Sequence, residues 1–171
     1  MGQYYKPISI EKKETIRSLD FDNGAKLMEH SYIGNPFVNS AERLLAKGGK
    51  WFGNHFVWCG DYAENEPDGT NLYENVCDIS VSKLPYKRYR FLVNRSKKLY
   101  VDLSKVPSYN GGWKIHPLPL LTCEGNGQGG GDFFGKDPNN LIGSWTRDII
   151  QPQTKKPKGN FTEIIFDLVE N

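Results

Sequence analysis

The residues best suited to chemistry lie in the stretch 124–143, which holds seven of the chain's eighteen glycines. An ordered glycine loses more backbone entropy than other residues, so this density suits positions that need positive φ or close backbone approach. Successive backbone N–H groups could cradle an anion, whereas Glu124, Asn126 and Asp132 could hold a cation with carbonyl oxygens. The spacing fits neither a Walker loop nor an EF-hand. The alternative is a surface loop of tight turns that binds nothing.

Side chains on both sides of this stretch could complete a nucleotide-sized pocket. Trp145 could stack on a base, Arg147 could bind a phosphate through two parallel hydrogen bonds, and Asp148 could orient the guanidinium. A simpler interpretation places Trp145 in the core and pairs Arg147 with Asp148 structurally. The predicted ligand-binding residues are Glu124, Asn126, Gly129, Gly130, Gly131, Asp132, Trp145, Arg147, Asp148 and His116.

Two other functions remain open beside binding. A nucleotide-processing hydrolase would need two acid–base groups near one pocket. Its candidate groups are Glu124, Asp132, Asp148 and His116. No Gly-x-Ser-x-Gly elbow or His-Glu-x-x-His motif occurs, so we expect capture without turnover. Alternatively, exposed aromatic side chains such as Tyr4, Tyr5, Phe133 and Phe134 could block a partner protein. Phe133 and Phe134 are consecutive, so one of them should face outward.

Charge narrows the class of partner. The chain has 22 Lys+Arg against 20 Asp+Glu, a formal net charge of +2 at pH 7. This balance excludes an acidic DNA mimic and a broad basic face for nucleic acid, because both need a strong excess of one sign. We expect a small anionic ligand, such as a nucleotide second messenger, met by a dedicated pocket. We expect the protein to bind no cofactor, metal ion, nucleic acid or membrane. Formation of a homo-oligomer stays possible.

Length and cysteine content indicate one cytoplasmic domain. The 171 residues fit a single domain over 1–171. Three cysteines without a C-x-x-C pair suit reduced thiols rather than a disulfide framework. No apolar run approaches the ~20 residues of a membrane span, and the N-terminus lacks a basic segment followed by an apolar core.

Most elements that must position these residues are predicted strands. Alternating apolar and polar residues predict a hairpin over 89–103 with its turn at 95–98. Asn-Gly and Gly-Asn steps predict two further hairpins, over 18–28 and 50–59. Strand-forming residues predict single strands at 3–10, 115–121 and 161–169, and Pro7 places the first of them at a sheet edge.

One helix is predicted over 39–49. Asn39 would cap its free N–H groups with Glu42 reaching back, and Gly48 would end it in a left-handed conformation. Its apolar residues form one stripe, as expected of a helix that covers a sheet. The fold class is therefore α+β or mainly β, with a curved antiparallel or barrel-like sheet and one or two short covering helices.

Six phrases resemble a family of small uncharacterised bacterial and phage proteins. They are MGQYYK at 1–6, KLMEH at 26–30, GDYA at 60–63, HPLPLLT at 116–122, EGNGQGGGD at 124–132 and GSWTRD at 143–148. The resemblance covers almost the whole chain and implies no catalytic residues. Phage occurrence implies an anti-defence protein, which would act in the host cytoplasm by sequestering a nucleotide signal on residues 124–135 or by blocking a defence protein.

Overall fold

A computed structural model of the chain describes residues 1–168 and 170, except for the side chain of Asn110. It contains two open mixed sheets and three short α-helices, so the α+β class is confirmed. The strands are β1 Tyr5–Ser9, β2 Glu14–Thr15, β3 Phe56–Gly60, β4 Cys77–Asp78, β5 Phe91–Asn94, β6 Leu99–Asp102, β7 Cys123–Glu124, β8 Ile150–Gln153 and β9 Thr162–Glu163. The helices are α1 Leu27–His30, α2 Pro36–Leu45 and α3 Pro117–Thr122, with 3-10 turns at Ser18–Phe21, Leu103–Lys105 and Asn110–Gly112.

The first sheet has the strand order β4-β2-β1-β3-β7, which places β1 at its centre rather than at the expected edge. Strands β2 and β3 pair antiparallel with β1, while β4 and β7 add parallel strands outside them. Pro7 is tolerated because β2 pairs only with Ile8 and Ser9. The Pro7 carbonyl instead accepts the Thr15 hydroxyl at 2.6 Å.

The second sheet has the order β8-β5-β6-β9 and contains the predicted hairpin over 89–103. Strand β8 pairs antiparallel with β5, and β9 pairs parallel with β6. The sheets are thus mixed, not purely antiparallel. The strand predicted over 161–169 is reduced to Thr162–Glu163, and its last residue lies outside the described part of the chain.

Large aromatic side chains fill the core between helix α2 and the sheets. Phe37 of α2 packs edge-on against Trp58 of β3, with ring centroids 5.7 Å apart. Phe56 lies 6.0 Å from the same indole. Helix α2 also packs against β8. Because such rings bury large apolar areas, few of them are needed to hold the two sheets together.

Helix α2 is present but begins at Pro36, before the predicted start. Asn35, not Asn39, caps it by accepting the N–H groups of Phe37 and Val38 at 2.8 and 3.1 Å. Proline at the first helical position needs no N–H partner, which favours this earlier start. The helix ends at Leu45, so Gly48 lies beyond it.

The other local predictions fail for similar reasons. The strand predicted over 115–121 is wrong, because His116 caps helix α3 through Nδ1, which accepts the Leu118 N–H at 3.0 Å. The hairpin over 18–28 is replaced by the 3-10 turn Ser18–Phe21 and helix α1. Of the hairpin over 50–59, the second arm is β3 and the first is a turn.

Candidate functional site

The glycine-rich loop does form a cradle of backbone N–H groups, and Asp132 of the same loop occupies it. Asp132 Oδ2 accepts the N–H groups of residues 127, 128 and 129 at 2.7, 3.0 and 3.1 Å. The same oxygen accepts Gln3 Nε2 at 2.8 Å, and Oδ1 accepts the Tyr5 hydroxyl at 2.9 Å. Asp132 is 3% exposed. Five donors therefore bind a buried internal carboxylate where the sequence predicted an external anion.

The glycines let this loop approach the N-terminal strand. A Cβ on Gly129 would lie 2.7 Å from Gln3 Cβ, and one on Gly131, whose φ is +82°, would lie 2.5 Å from Lys26 Cβ. Gly130 exchanges backbone hydrogen bonds with Met1 and Gln3 at 2.9 and 3.0 Å. The close partner of the loop backbone is thus the chain itself.

Two further predicted residues have internal roles in and beside the loop. The Asn126 side chain accepts the Phe133 N–H at 2.9 Å and donates to the Phe133 carbonyl at 3.2 Å. Phe133 is buried and Phe134 is exposed, as their consecutive positions predicted, whereas Tyr5 is buried and cannot serve as an exposed docking aromatic. Trp145 is 1% exposed and lies in the core, so its face is not available for stacking on a base.

Arg147 lies between two carboxylates, and its guanidinium donates two hydrogen bonds to each of them. It donates to Glu124 at 2.5 and 3.1 Å and to Glu66 at 2.7 and 3.0 Å. These hydrogen bonds, first to Glu124 and then to Glu66, raise the pKa of Arg147 above its ordinary value. The residue also has a left-handed backbone, with φ of +65°. Its structural partners are therefore Glu66 and Glu124 rather than Asp148.

A cleft of about 450 Å³ opens beside this ion pair, and we call it the glycine-loop cleft. Its charged lining residues are Glu64, Glu66, Glu124 and Arg147. Three carboxylates against one guanidinium give the lining a net negative charge. An anionic ligand entering here would have to displace a carboxylate from Arg147 and face the remaining acidic groups.

The acid–base candidates lie in separate hydrogen-bonding groups. Asp148 accepts Asn94 Nδ2 at 2.8 Å and is also paired with Lys97. His116 Nε2 lies 3.3 Å from the Glu42 carboxylate, and both side chains are buried. Glu124 binds Arg147, as described above, and Asp132 fills the loop cradle. Of these four residues, Glu124 lines the glycine-loop cleft and the other three do not.

A second cleft, of about 570 Å³, has the opposite charge, and we call it the basic cleft. It is lined by Lys47, Phe52, Gly53, Arg95, Lys98, Ile149 and Gln151. Within the described residues, none of its three cations forms an ion pair with a carboxylate. The Phe52 ring is 44% exposed. An unpaired positive lining beside an accessible aromatic ring suits an anion that carries a flat group.

Three distant segments converge to build the basic cleft. The Arg95 N–H donates to the Ile149 carbonyl at 2.8 Å, which fixes the hairpin turn against the start of β8. His55 also bridges to Ile149 and thereby holds the segment that carries Phe52. The Phe161 ring lies 5.0 Å from Lys98 Nζ and 6.0 Å from the Arg95 guanidinium, where cation–π attraction steadies both side chains.

Sequence reasoning missed the basic cleft, although one signal was present. The turn 95–98 reads Arg-Ser-Lys-Lys, an exposed basic run, but it was interpreted only as a hairpin turn. Neither Lys47 nor Phe52 could be assigned to the same site, because their proximity to Arg95 depends on the bridge from His55 to Ile149, on the packing of α2 against β8 and on the pairing of β5 with β8. No periodicity in the sequence encodes that pairing.

Comparisons with known proteins add no relative: no family model, curated protein or solved structure matches the chain. The resemblance to bacterial and phage proteins accordingly stays an expectation. Among the described residues, no helix is long and apolar enough to cross a membrane. Nor does that part of the chain group three or more His, Cys, Asp or Glu side chains suitably for a metal ion.

Proposed function

We propose that this protein is a non-catalytic binding protein that captures a small anionic ligand of the nucleotide class in the basic cleft. The observation that carries the proposal is that Lys47, Arg95 and Lys98 line one cleft and have no carboxylate partner among the described residues. Sequestration of a nucleotide signal, the role implied by the resemblance, is part of this proposal.

The lining supplies each kind of contact that a nucleotide needs. The Arg95 guanidinium can bind a phosphate through two parallel hydrogen bonds, whereas the lysines act as point charges. The Phe52 ring offers a face on which a base can stack, and the Gln151 amide offers a donor and an acceptor. The volume of about 570 Å³ lies in the range of small-molecule sites.

Charge argues for this cleft over the glycine-loop cleft that the sequence favoured. In the glycine-loop cleft, Arg147 is already neutralised by Glu66 and Glu124. The N–H cradle of the loop already holds Asp132. A ligand of net negative charge gains more Coulomb energy where the cations have no internal partner.

Calorimetric titration at low salt tests the proposal. The panel comprises ADP-ribose, ADP and several cyclic dinucleotides, and the adenosine nucleoside serves as the uncharged control. We expect one site per chain for at least one anionic compound, with affinity that falls as salt screens the cations. No heat change with any member of the panel would sink the idea.

Charge reversal then locates the site. Lys98→Glu should weaken binding at least about tenfold, a change of about 1.4 kcal/mol in binding free energy. Lys158→Glu is the matched control, because Lys158 is an exposed lysine that does not line the cleft. Equal affinities for wild type and Lys98→Glu would contradict the placement of the ligand.

A further inference from the structure

The segment 79–90 crosses the surface without regular secondary structure, and we call it the strap. Residues 82–88 of the strap are all exposed. Helix α2 holds it from below: the Asn39 side chain donates to the Lys87 carbonyl at 2.7 Å and accepts the Lys87 N–H at 3.0 Å. Arg43 also donates to the Pro85 carbonyl. The strap is thus fixed near its C-terminal end by helix α2, and the side chains of residues 82–88 stay exposed.

Three cavities lie side by side along the strap and share lining residues, and together we call them the groove. The first, of about 290 Å³, shares Phe21 and Lys83 with the second, of about 220 Å³. The second shares Gly34 and Tyr86 with the third, of about 290 Å³. Neighbouring cavities that share walls suit an extended occupant that places a side chain in each.

The groove combines apolar walls with an excess of positive charge. Its apolar side chains include Phe21, Ile79, Val81, Leu84, Tyr86 and Tyr89. Its cations are Arg17, Arg43, Lys83, Arg88 and Lys114. Asp20 and Asp22 are the carboxylates in the lining, and Asp20 is already paired with Arg17. The occupant should therefore be acidic and carry apolar side chains.

The strap backbone offers a second and independent signal. The Ile79 N–H donates to the Thr15 carbonyl at 2.8 Å, so the chain enters the strap as an extended edge. Within the described part of the chain, no backbone N–H or C=O of residues 80–84 forms a hydrogen bond. Such an exposed row of donors and acceptors is what an added strand pairs with.

We propose that the groove binds an extended acidic segment of a partner protein, which adds a strand along residues 80–84. Its apolar side chains would fill the three cavities, and its carboxylates would face Lys83, Arg43 and Arg88. A nucleic acid fits less well, because its backbone has no N–H donors for the strap carbonyls. The groove shares no lining residue with the basic cleft, so this proposal stands or falls separately from nucleotide binding.

Selection from a random twelve-residue peptide library by ribosome display tests the proposal on the purified full chain. We expect enrichment of acidic peptides with apolar residues at alternate positions. Fluorescence anisotropy with the most enriched synthetic peptide should then show at least about tenfold weaker binding to Lys83→Glu/Arg88→Glu. The matched control is Lys155→Glu/Lys158→Glu, two exposed lysines outside the groove. Far-UV circular dichroism checks that both double variants fold.

N-methylation of alternate backbone amides in the peptide separates strand addition from charge attraction alone. The N-methylated peptide should lose binding, because it keeps its charges but lacks the donors that pair with the strap. The proposal is overturned if no acidic sequence is enriched, or if the groove variant binds the peptide as tightly as wild type. Tighter binding of a twelve-nucleotide oligothymidylate, lost in the groove variant, would assign the groove to nucleic acid instead.

Discussion

Asp132 Oδ2 accepts the backbone N–H of Gly127, five positions earlier in the chain, at 2.7 Å. This contact shows what the glycine-rich loop does: it wraps its backbone donors around a carboxylate of its own. The carboxylate in turn ties the loop to Gln3 and Tyr5 of the N-terminal segment. The glycine-rich loop, which most resembles a ligand site in the sequence, therefore forms an internal contact, and this contact attaches the loop to the first sheet through Asp132.

Removing the charge of Asp132 should destabilise the fold. In Asp132→Asn the side chain keeps its shape, but one of its two oxygens becomes an NH2 group, so either the N–H cradle or the Tyr5 hydroxyl loses its acceptor. We expect a loss of about 3 kcal/mol in the free energy of unfolding, because buried donors lose a charged partner. Urea denaturation measures it, with Asp68→Asn in an exposed turn as control. Equal stability of wild type and Asp132→Asn would contradict a role for Asp132 in attaching the loop to the N-terminal segment.

An empty cradle should accept a small carboxylate from solution. In Asp132→Ala the three N–H groups of residues 127–129 lose their acceptor. Formate should then raise the thermal midpoint of the variant and leave that of wild type unchanged, because only a vacated cradle can bind it. Chloride at equal ionic strength controls for screening. A rise of equal size in both proteins would show that formate acts elsewhere.

Arg147→Lys should lower the stability of the fold without changing the affinity for the ligand. Lysine keeps the positive charge but cannot form two parallel hydrogen bonds to each of Glu66 and Glu124. Because the pair is partly exposed, we expect a loss of about 1 kcal/mol in the free energy of unfolding. The affinity for the nucleotide found by calorimetry should not change. A large loss of affinity without a loss of stability would return the ligand to the glycine-loop cleft.

The free energy of unfolding should decrease as the pH is lowered from 6.5 to about 4, because His30 is buried in its neutral form. The Trp58 indole N–H donates to Nε2 at 3.0 Å and Nδ1 donates to the Gly24 carbonyl at 2.9 Å, so the buried ring is neutral. Burial lowers the pKa of His30 from 6.5 to about 4. His30 therefore binds a proton below about pH 6.5 in the unfolded chain, but only below about pH 4 in the folded chain.

The sign of this effect is a loss of stability on acidification. Between pH 6.5 and 4.5 the His30 contribution to the free energy of unfolding should fall by about 2–3 kcal/mol. His30→Gln should have a shallower slope, by about one proton, in urea denaturation across that window. Phe37→Leu loosens the same aromatic cluster without removing a titratable group and should keep the wild-type slope. Parallel slopes for wild type and His30→Gln would contradict the assignment.

One thiol in three should react quickly in the folded protein. Cys77 is exposed, whereas burial raises the pKa of both Cys59 and Cys123 to about 12. Because the thiolate is the reactive form, Ellman's reagent should titrate Cys77 alone at pH 8 and all three thiols in guanidinium chloride. Cys77→Ser should leave no fast thiol. Two or three fast thiols in the folded wild type would contradict the buried placement.

Patterns within short stretches of the sequence predicted the elements that are stabilised by contacts between residues close together in the chain. The hairpin of β5 and β6 was predicted because both arms alternate and the turn between them is short and polar. Helix α2 was predicted, but both of its ends were misplaced, because Asn39 and Gly48 also satisfy the patterns of a cap and a C-terminal glycine. In the fold Asn39 instead binds the backbone of Lys87, a residue 48 positions away. Nothing in the helix sequence indicates that contact.

The site was harder to predict because its partners are distant in sequence. Arg147 was recognised as a bidentate donor, yet its partner Glu66 lies 81 residues away in an acidic turn. Asp132 was predicted as a ligand-binding residue, whereas its carboxylate binds the backbone of its own loop. The basic cleft joins Lys47, Arg95 and Gln151 through sheet pairing. Residue type identified the chemistry, and the tertiary fold decided which groups remain free to use it.

The basic cleft and the glycine-rich loop are the two places where a nucleotide could bind, and we propose the basic cleft. Amide NMR titration of the ¹⁵N-labelled chain with the nucleotide that binds best in calorimetry distinguishes the two. We expect saturable shifts in the segments 47–53, 95–98 and 149–151, and none in residues 125–132. Shifts confined to residues 125–132 and to the neighbourhood of Arg147 would contradict this placement.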